Sequence, residues 1–328
     1  MQAARDVTLA AVWGLIALAI VAGLAAPAAA DPNDLVLSRL GTRITDGSGM
    51  LTGVVGENLE FRELSSQLGV VLAPHLLTPA DTNGFGGFQM TVDYASTTID
   101  GTAPYWRVRD SGTAASSMTT IGFFARKGVW FPLPSFEAGA GAVHLVDSHT
   151  WAAQLYAKMA LHEGYHELPI PSVAVRGAVS RMMNQRELDL TVASVDAIIS
   201  KHVGVGGTWR FDPYVGWNVL LIIPRSQVLD PTPNVDSLQP GQNNDSLLNF
   251  TFKDQQDIIR QRAFVGAKFQ YYIFQFTAEF QYAFAGSSVD DRAGTSTPCM
   301  LNSTTSVCDS KDAAKAQRTL ALSAGFEF

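Results

Sequence analysis

Charge is scarce in this sequence. Asp, Glu, Lys and Arg together make up 16% of 328 residues, against 47% hydrophobic, where a soluble domain usually carries about a quarter charged residues. A surface so poor in charge calls for a solvent other than water over part of its area. Long apolar runs are also lacking: after the first thirty residues none reaches the ~18 that a spanning helix needs, which excludes a helical membrane protein. Basic clusters are missing from a chain of net charge -7, so no nucleic-acid partner is expected. No nucleophile elbow, P-loop or dinucleotide fingerprint occurs in a strand-turn-helix setting, and no cofactor is expected. Cysteine is limited to Cys299 and Cys308, which flank "MLNSTTSV" in a polar stretch. A bridge there would pin a loop in an oxidising compartment.

What is present begins with "MQAARDVTLAAVWGLIALAIVAGLAAPAAADPND". A weak positive start, an apolar run from Val7 to Ala26, the break at Pro27 and the small residues Ala28 to Ala30 read as a cleaved secretory signal over residues 1–30. An uncleaved anchor of the same length is the competing reading, and the small-residue site favours cleavage. Residues 31–85 do not alternate. Within them "ENLEFRELSSQLGVVLAP" sets Phe61, Leu64, Leu68 and Val71 at three- and four-residue spacing, which predicts a short amphipathic helix in a periplasmic or plugging segment.

From residue 86 to 328 the period changes to two, the mark of strands with one apolar and one polar face. Phe88, Met90, Val92 and Tyr94 alternate with Gln89, Thr91 and Asp93; Trp151, Leu155 and Met159 with Gln154, Tyr156 and Lys158; Val173, Val175 and Val179 with Ser172, Arg176 and Ser180. The pattern returns with Trp209, Phe211, Val215 and Trp217 against Arg210, Asp212 and Asn218, and with Phe274, Phe276 and Phe280 against Gln275, Thr277 and Glu279. It closes on "LALSAGFEF", residues 320–328. Fainter strands near 117–128, 135–146, 187–200 and 260–271 bring the expectation to about ten, with eight to twelve as bounds. Connections near 128–134, 162–169, 201–207 and 271–274 read as short. Those at 100–116, 224–257 and 286–315 read as long, which is the organisation of an up-and-down transmembrane barrel.

The polar face mixes Gln, Thr, Ser and Tyr with the charged Asp93, Lys158, Arg176, Arg210, Asp212, Lys268 and Glu279, the composition expected of a lumen lining. Aromatics gather near strand ends: Trp130, Phe131, Phe269, Tyr271, Tyr272, Phe274, Phe326 and Phe328 at one side, Trp151, Trp217, Tyr282 and Phe284 at the other. With its signal-like start, its alternating strands and its terminal Phe328, the chain resembles bacterial outer-membrane β-barrel proteins. That resemblance implies an all-β antiparallel transmembrane barrel in lipid of a Gram-negative outer membrane. It also implies a final strand whose Phe326 and Phe328 are read by the barrel assembly machinery. An even strand number leads to the expectation that both ends of the mature chain lie in the periplasm.

"LHEGYHELP" matches H-E-x-x-H through His162, Glu163 and His166, a spacing that on a helix turns two imidazoles toward zinc, with the Glu as general base. Gly164, Pro169, Pro171 and the alternation before the motif instead predict a strand ending in a turn. Glu167 and Glu187 are the nearest candidates for a third ligand. The sequence thus points to a non-catalytic barrel, either a narrow pore for a small solute or a structural envelope protein. The alternatives are an envelope zinc peptidase using this motif, and a surface-binding barrel acting through loops 224–257 and 286–315.

Overall fold

The computed structural model describes residues 31–49, 51–75, 77–111, 115–130, 135–164, 170–205, 208–231, 248–255, 258–289 and 311–328. A hairpin comes first, β1 Gly41–Thr45 and β2 Leu51–Gly56, then the helix α1, Asn58–Val71. The strands β3 Phe88–Thr98, β4 Ser117–Val129, β5 Phe136–Leu145, β6 Trp151–His162, β7 Ser172–Met183 and β8 Leu188–Ser200 follow. After the three-residue β9, Val203–Val205, come β10 Trp209–Ser226, β11 Ile258–Tyr271, β12 Phe274–Ala283 and β13 Gln317–Glu327.

Ten of these strands, β3 to β8 and β10 to β13, pair antiparallel with their neighbours in chain order, and β13 returns to β3 to close the sheet. Closure runs from Thr319 opposite Thr97 to Glu327 opposite Gln89, and Phe88 and Phe328 exchange both backbone hydrogen bonds, at 2.7 and 2.9 Å. A closed sheet has no unpaired edge. The stretch read as a turn at 201–207 carries β9, which pairs with Trp209–Phe211 of β10 beyond the point where β8 has ended.

The alternation is inverted relative to a soluble protein. Along β12 the polar Thr277, Glu279 and Gln281 are 1% exposed, whereas Phe274 is 58% exposed and Phe280 45%. Arg126, Arg176, Arg260 and Lys158 are among the largest fully buried side chains, while Val195, Leu155, Val265 and Leu320 stand outward. Sequence period therefore sets the face, and barrel closure decides that the polar face is the interior.

The barrel has a turn end, where Phe88 and Phe328 meet, and a loop end, reached by β3 at Thr98 and left by β13 at Gln317. Leu35 to Val71 occupy the loop end. Leu37, Leu40, Phe61, Leu64, Leu68 and Val71 pack there with Val108, Met118, Leu145, Leu190, Leu220 and Ile222 in one apolar cluster, and Phe61 stacks on Phe252 at 4.4 Å. No side chain caps the amino end of α1; its stability comes from burial on nearly every face rather than from capping. The backbone N–H of Asn33 donates to Asp147 O at 2.8 Å and that of Val36 to Val108 O at 2.8 Å, both acceptors lying in loop-end connections. The two ends of the barrel, Phe88 and Phe328, lie together at the turn end, whereas Asn33 bonds to a connection at the loop end.

Gly69 lies so close to strand β10 that an added Cβ would sit 2.6 Å from Ile222 Cδ1 and 2.7 Å from its Cγ2; Gly69→Val should loosen α1 by about 1–3 kcal/mol, read as a lower urea midpoint in detergent. Burial, then the nearby Asp312 and Glu60, push the Glu63 carboxyl up from 4.5 to about 7. A carboxyl raised by folding stabilises the fold in its protonated form, fully below pH ~4.5, and that contribution is lost as pH rises through ~7. Glu60 and Glu187 are raised in the same direction, each first by burial. Glu63→Gln should therefore flatten, without abolishing, the fall in unfolding midpoint between pH 4.5 and 7.

Candidate functional site in the barrel lumen

The interior of the barrel is filled by its own chain. After α1, residues 72–75 and 77–87 lead from the loop end to the turn end without a sheet partner, so their backbone groups need other partners. The wall supplies them in descending order. Gln154 Nε2 donates to Leu72 O at 3.1 Å, Arg262 Nη2 to Pro74 O at 2.8 Å and Arg176 Nη1 to His75 O at 3.4 Å. Leu77 N donates to Glu279 Oε2 at 3.1 Å and Ala80 N to Ser200 Oγ at 3.0 Å. Lys158 Nζ reaches Pro79 O at 3.2 Å and Asp81 O at 2.8 Å. Near the turn end Asn83 N donates to Glu137 Oε2 at 3.0 Å and Thr82 N to Glu163 Oε1 at 2.9 Å.

Wall cations thus meet carbonyls and wall carboxylates meet amides. Opposite charges are also tied to one another. Lys158 lies 3.2 Å from Glu137, Arg126 3.7 Å from Asp93 and Arg210 3.6 Å from Asp81; Arg176 pairs with Asp196, Arg210 also with Asp212, and Lys268 with Glu327. Tyr156 and Tyr214 hydroxyls donate to Glu137 and Glu279, both at 2.6 Å. Such buried pairs gain little over an apolar filling, but losing one member leaves a desolvated charge.

Asp93, Lys158, Arg176, Asp212, Lys268 and Glu279 are buried, and the half-buried Arg210 pairs with Asp81 and Asp212. Asp93 accepts from Ser323 Oγ at 2.6 Å, and Asp212 is fully buried beside His202 Nδ1 at 2.7 Å. Sequence reasoning missed Arg126, Glu137, Asp196 and Arg262. Their parity would have found them, but they sit on the fainter strands, where Gly and Ala blur the period, as in "FEAGAGAVHL" of β5. Nothing could have found the carbonyls of residues 74–81, which have no side-chain signature.

Of the H-E-x-x-H stretch, His162 and Glu163 sit at the turn end. Strand β6 runs to the exposed His162, so this His lies on a strand rather than the helical face that the zinc arrangement needs. Glu163 is engaged by Thr82 N, and by Ser135 Oγ at 2.8 Å, which makes it a clamp on the end of the filling segment. Glu187 lies at the loop end, accepting from Leu37 N at 2.5 Å, and is removed as a ligand to the same ion. His166, Glu167, Phe131, Cys299 and Cys308 lie outside the described residues.

No family model matches the chain, and no curated protein sequence does. Among solved structures it is similar to Neisserial surface protein A, with 12% identity over 74% of this chain and 94% of that one and a TM-score of 0.28. It is similar also to Ail, the attachment invasion locus protein of Yersinia pestis, with 10% identity over 74% and 99% and a TM-score of 0.25. A third is the Acinetobacter baumannii outer membrane protein Omp33, with 11% identity over 74% and 99% and a TM-score of 0.24. These are bacterial outer-membrane β-barrel proteins; the closed ten-stranded barrel of this chain rests on its own strand pairing.

Lys158→Met should cost about 3–5 kcal/mol by leaving Glu137 charged and unpaired. The double variant Lys158→Met with Glu137→Gln should recover much of that loss in the same detergent unfolding experiment. A double variant no more stable than Lys158→Met alone would overturn the stranded-charge account of that loss.

Proposed function

We propose that this chain is an outer-membrane β-barrel with a closed lumen, a non-catalytic structural protein of the envelope rather than an open channel for solutes. The observation that carries the reading is the engagement of the inward polar wall by residues 72–83, since those donors and acceptors would otherwise line a water-filled path. A ten-stranded bore is close in size to the eight-stranded barrels that side chains alone can fill, and here an extended segment takes the remaining space.

Lipid is the partner that suits the exterior. Phe123, Leu155, Val195, Val215, Val265 and Leu320 are among many large apolar side chains exposed on the strands, more than a monomer usually exposes to water. Ring pairs accompany them: Trp209 with Tyr271 at 4.4 Å, Phe211 with Phe269 at 4.7 Å and Phe274 with Phe326 at 5.3 Å toward the turn end, Trp217 with Phe284 at 5.2 Å toward the loop end. Aromatic rings favour the headgroup boundary. Phe326 and Phe328 face outward at 47% and 69% exposure, accessible to an assembly factor that reads the last strand.

Extracted from outer membranes with detergent, the protein should migrate differently before and after boiling, and in planar bilayers it should give no conductance steps. A variant lacking residues 32–85 should still be heat-modifiable but should conduct. Steady conductance by the intact protein would overturn the closed lumen, and a mature chain that stays dissolved as a monomer without detergent would overturn the barrel in lipid.

A further inference from the structure

We infer that the amino-terminal unit, residues 33–71, is displayed on the outer surface of the membrane, delivered there by residues 72–87 threaded through the barrel. The inference rests on the closed-barrel reading above and adds the sidedness of the chain.

Three observations fix it. First, β3 begins where β13 ends, because Phe88 and Phe328 pair, so residues 77–87 lead into the barrel wall at the turn end. Second, the wall contacts of Leu72, Pro74, His75, Leu77, Ala80, Thr82 and Asn83 fall in sequence from loop end to turn end, which is a passage through the lumen and not a loop over its mouth. Third, the unit ahead of the thread is fastened to loop-end connections. Gln185 Nε2 donates to Leu35 O at 3.0 Å, Asn33 Nδ2 to Val146 O at 2.8 Å, His149 N to Asp34 Oδ1 at 2.8 Å and Arg39 Nη2 to Asp110 Oδ1 at 2.8 Å.

The two barrel ends are distinguished by their connections. At the turn end the connections are 130–135, 163–171, 201–208 and the pair Tyr272 and Ile273, whereas at the loop end, beside the short 146–150 and 184–187, β3 reaches β4 only at Ser117, β10 reaches β11 only at Ile258 and β12 reaches β13 only at Gln317. In outer-membrane barrels short turns face the periplasm and long loops the exterior. Applied here, that rule puts the hairpin β1–β2 and α1 outside the cell and Phe328 inside.

The test uses full-length protein in a Gram-negative host, with an epitope tag inserted between Gly47 and Ser48 at the exposed tip of the β1–β2 hairpin, or between Lys201 and His202 at the turn end. Antibody binding to the first tag should be the same on intact and permeabilised cells; the second should bind only after permeabilisation. Ser48→Cys, in a chain carrying Cys299→Ser and Cys308→Ser, should react on intact cells with a membrane-impermeant maleimide and so repeats the measurement without an insertion. If heat-modifiable protein shows the hairpin tag and the thiol of the Ser48→Cys variant only after permeabilisation, display is overturned while the closed barrel stands. If neither tagged protein nor the cysteine variant is heat-modifiable or membrane-bound, the barrel reading falls and display falls with it.

Discussion

An extended peptide with no strand beside it must find hydrogen-bond partners for its buried N–H and C=O groups, and Leu72, Pro74, His75, Leu77, Pro79, Ala80, Asp81, Thr82 and Asn83 find them on side chains of the barrel wall. The rest of the structure is arranged around that requirement. It explains why the inward face carries arginine, lysine and glutamate where small polar residues would satisfy a wet pore, and why these charges sit at different depths along the thread. It also accounts for the mixed signs. Carbonyls call for cations and amides for carboxylates, and each of those charges then needs a counter-charge on a neighbouring strand, such as Asp196 for Arg176 or Glu137 for Lys158.

The outside obeys the complementary constraint. With its backbone satisfied by closure, the sheet can turn Val, Leu, Ile and Phe outward, and such a face is stable only where water is absent. Interior and exterior thus exchange the roles they have in a soluble protein. At the loop end the ordinary arrangement returns: α1, the 3-10 turn Leu37–Leu40 and the ends of several strands bury an apolar cluster. This cluster holds the thread at its upper end, and Glu163 and Glu137 hold it at its lower end. The segment is thus held at both ends and bonded along its length.

Much of the barrel was legible because side-chain direction in a strand is a local property with a fixed period of two. Phe88 to Tyr94, Trp209 to Trp217 and Phe274 to Phe280 announce both a strand and its faces. The period is less clear in β5, where Ala and Gly occupy both faces, and it vanishes for β9, whose three residues are too few to show one. The α1 helix was visible through Phe61, Leu64, Leu68 and Val71, whose spacing is equally local. The zinc-like spacing of His162, Glu163 and His166 was visible too, but spacing has chemical meaning only on the right backbone, and His162 lies on a strand.

By itself, then, the sequence determined that there would be a helix followed by about ten two-faced strands, and which side chains would share a face. Tertiary structure alone decided that the polar face would enclose residues 72–83, that Glu163 would clamp them, and that residues 33–71 would lie at the opposite end from Phe328. The reason is distance along the chain. Leu77 meets Glu279 across 202 positions and Arg262 meets Pro74 across 188, and the partner in such contacts is often a main-chain atom, which every residue possesses and no residue type can signal.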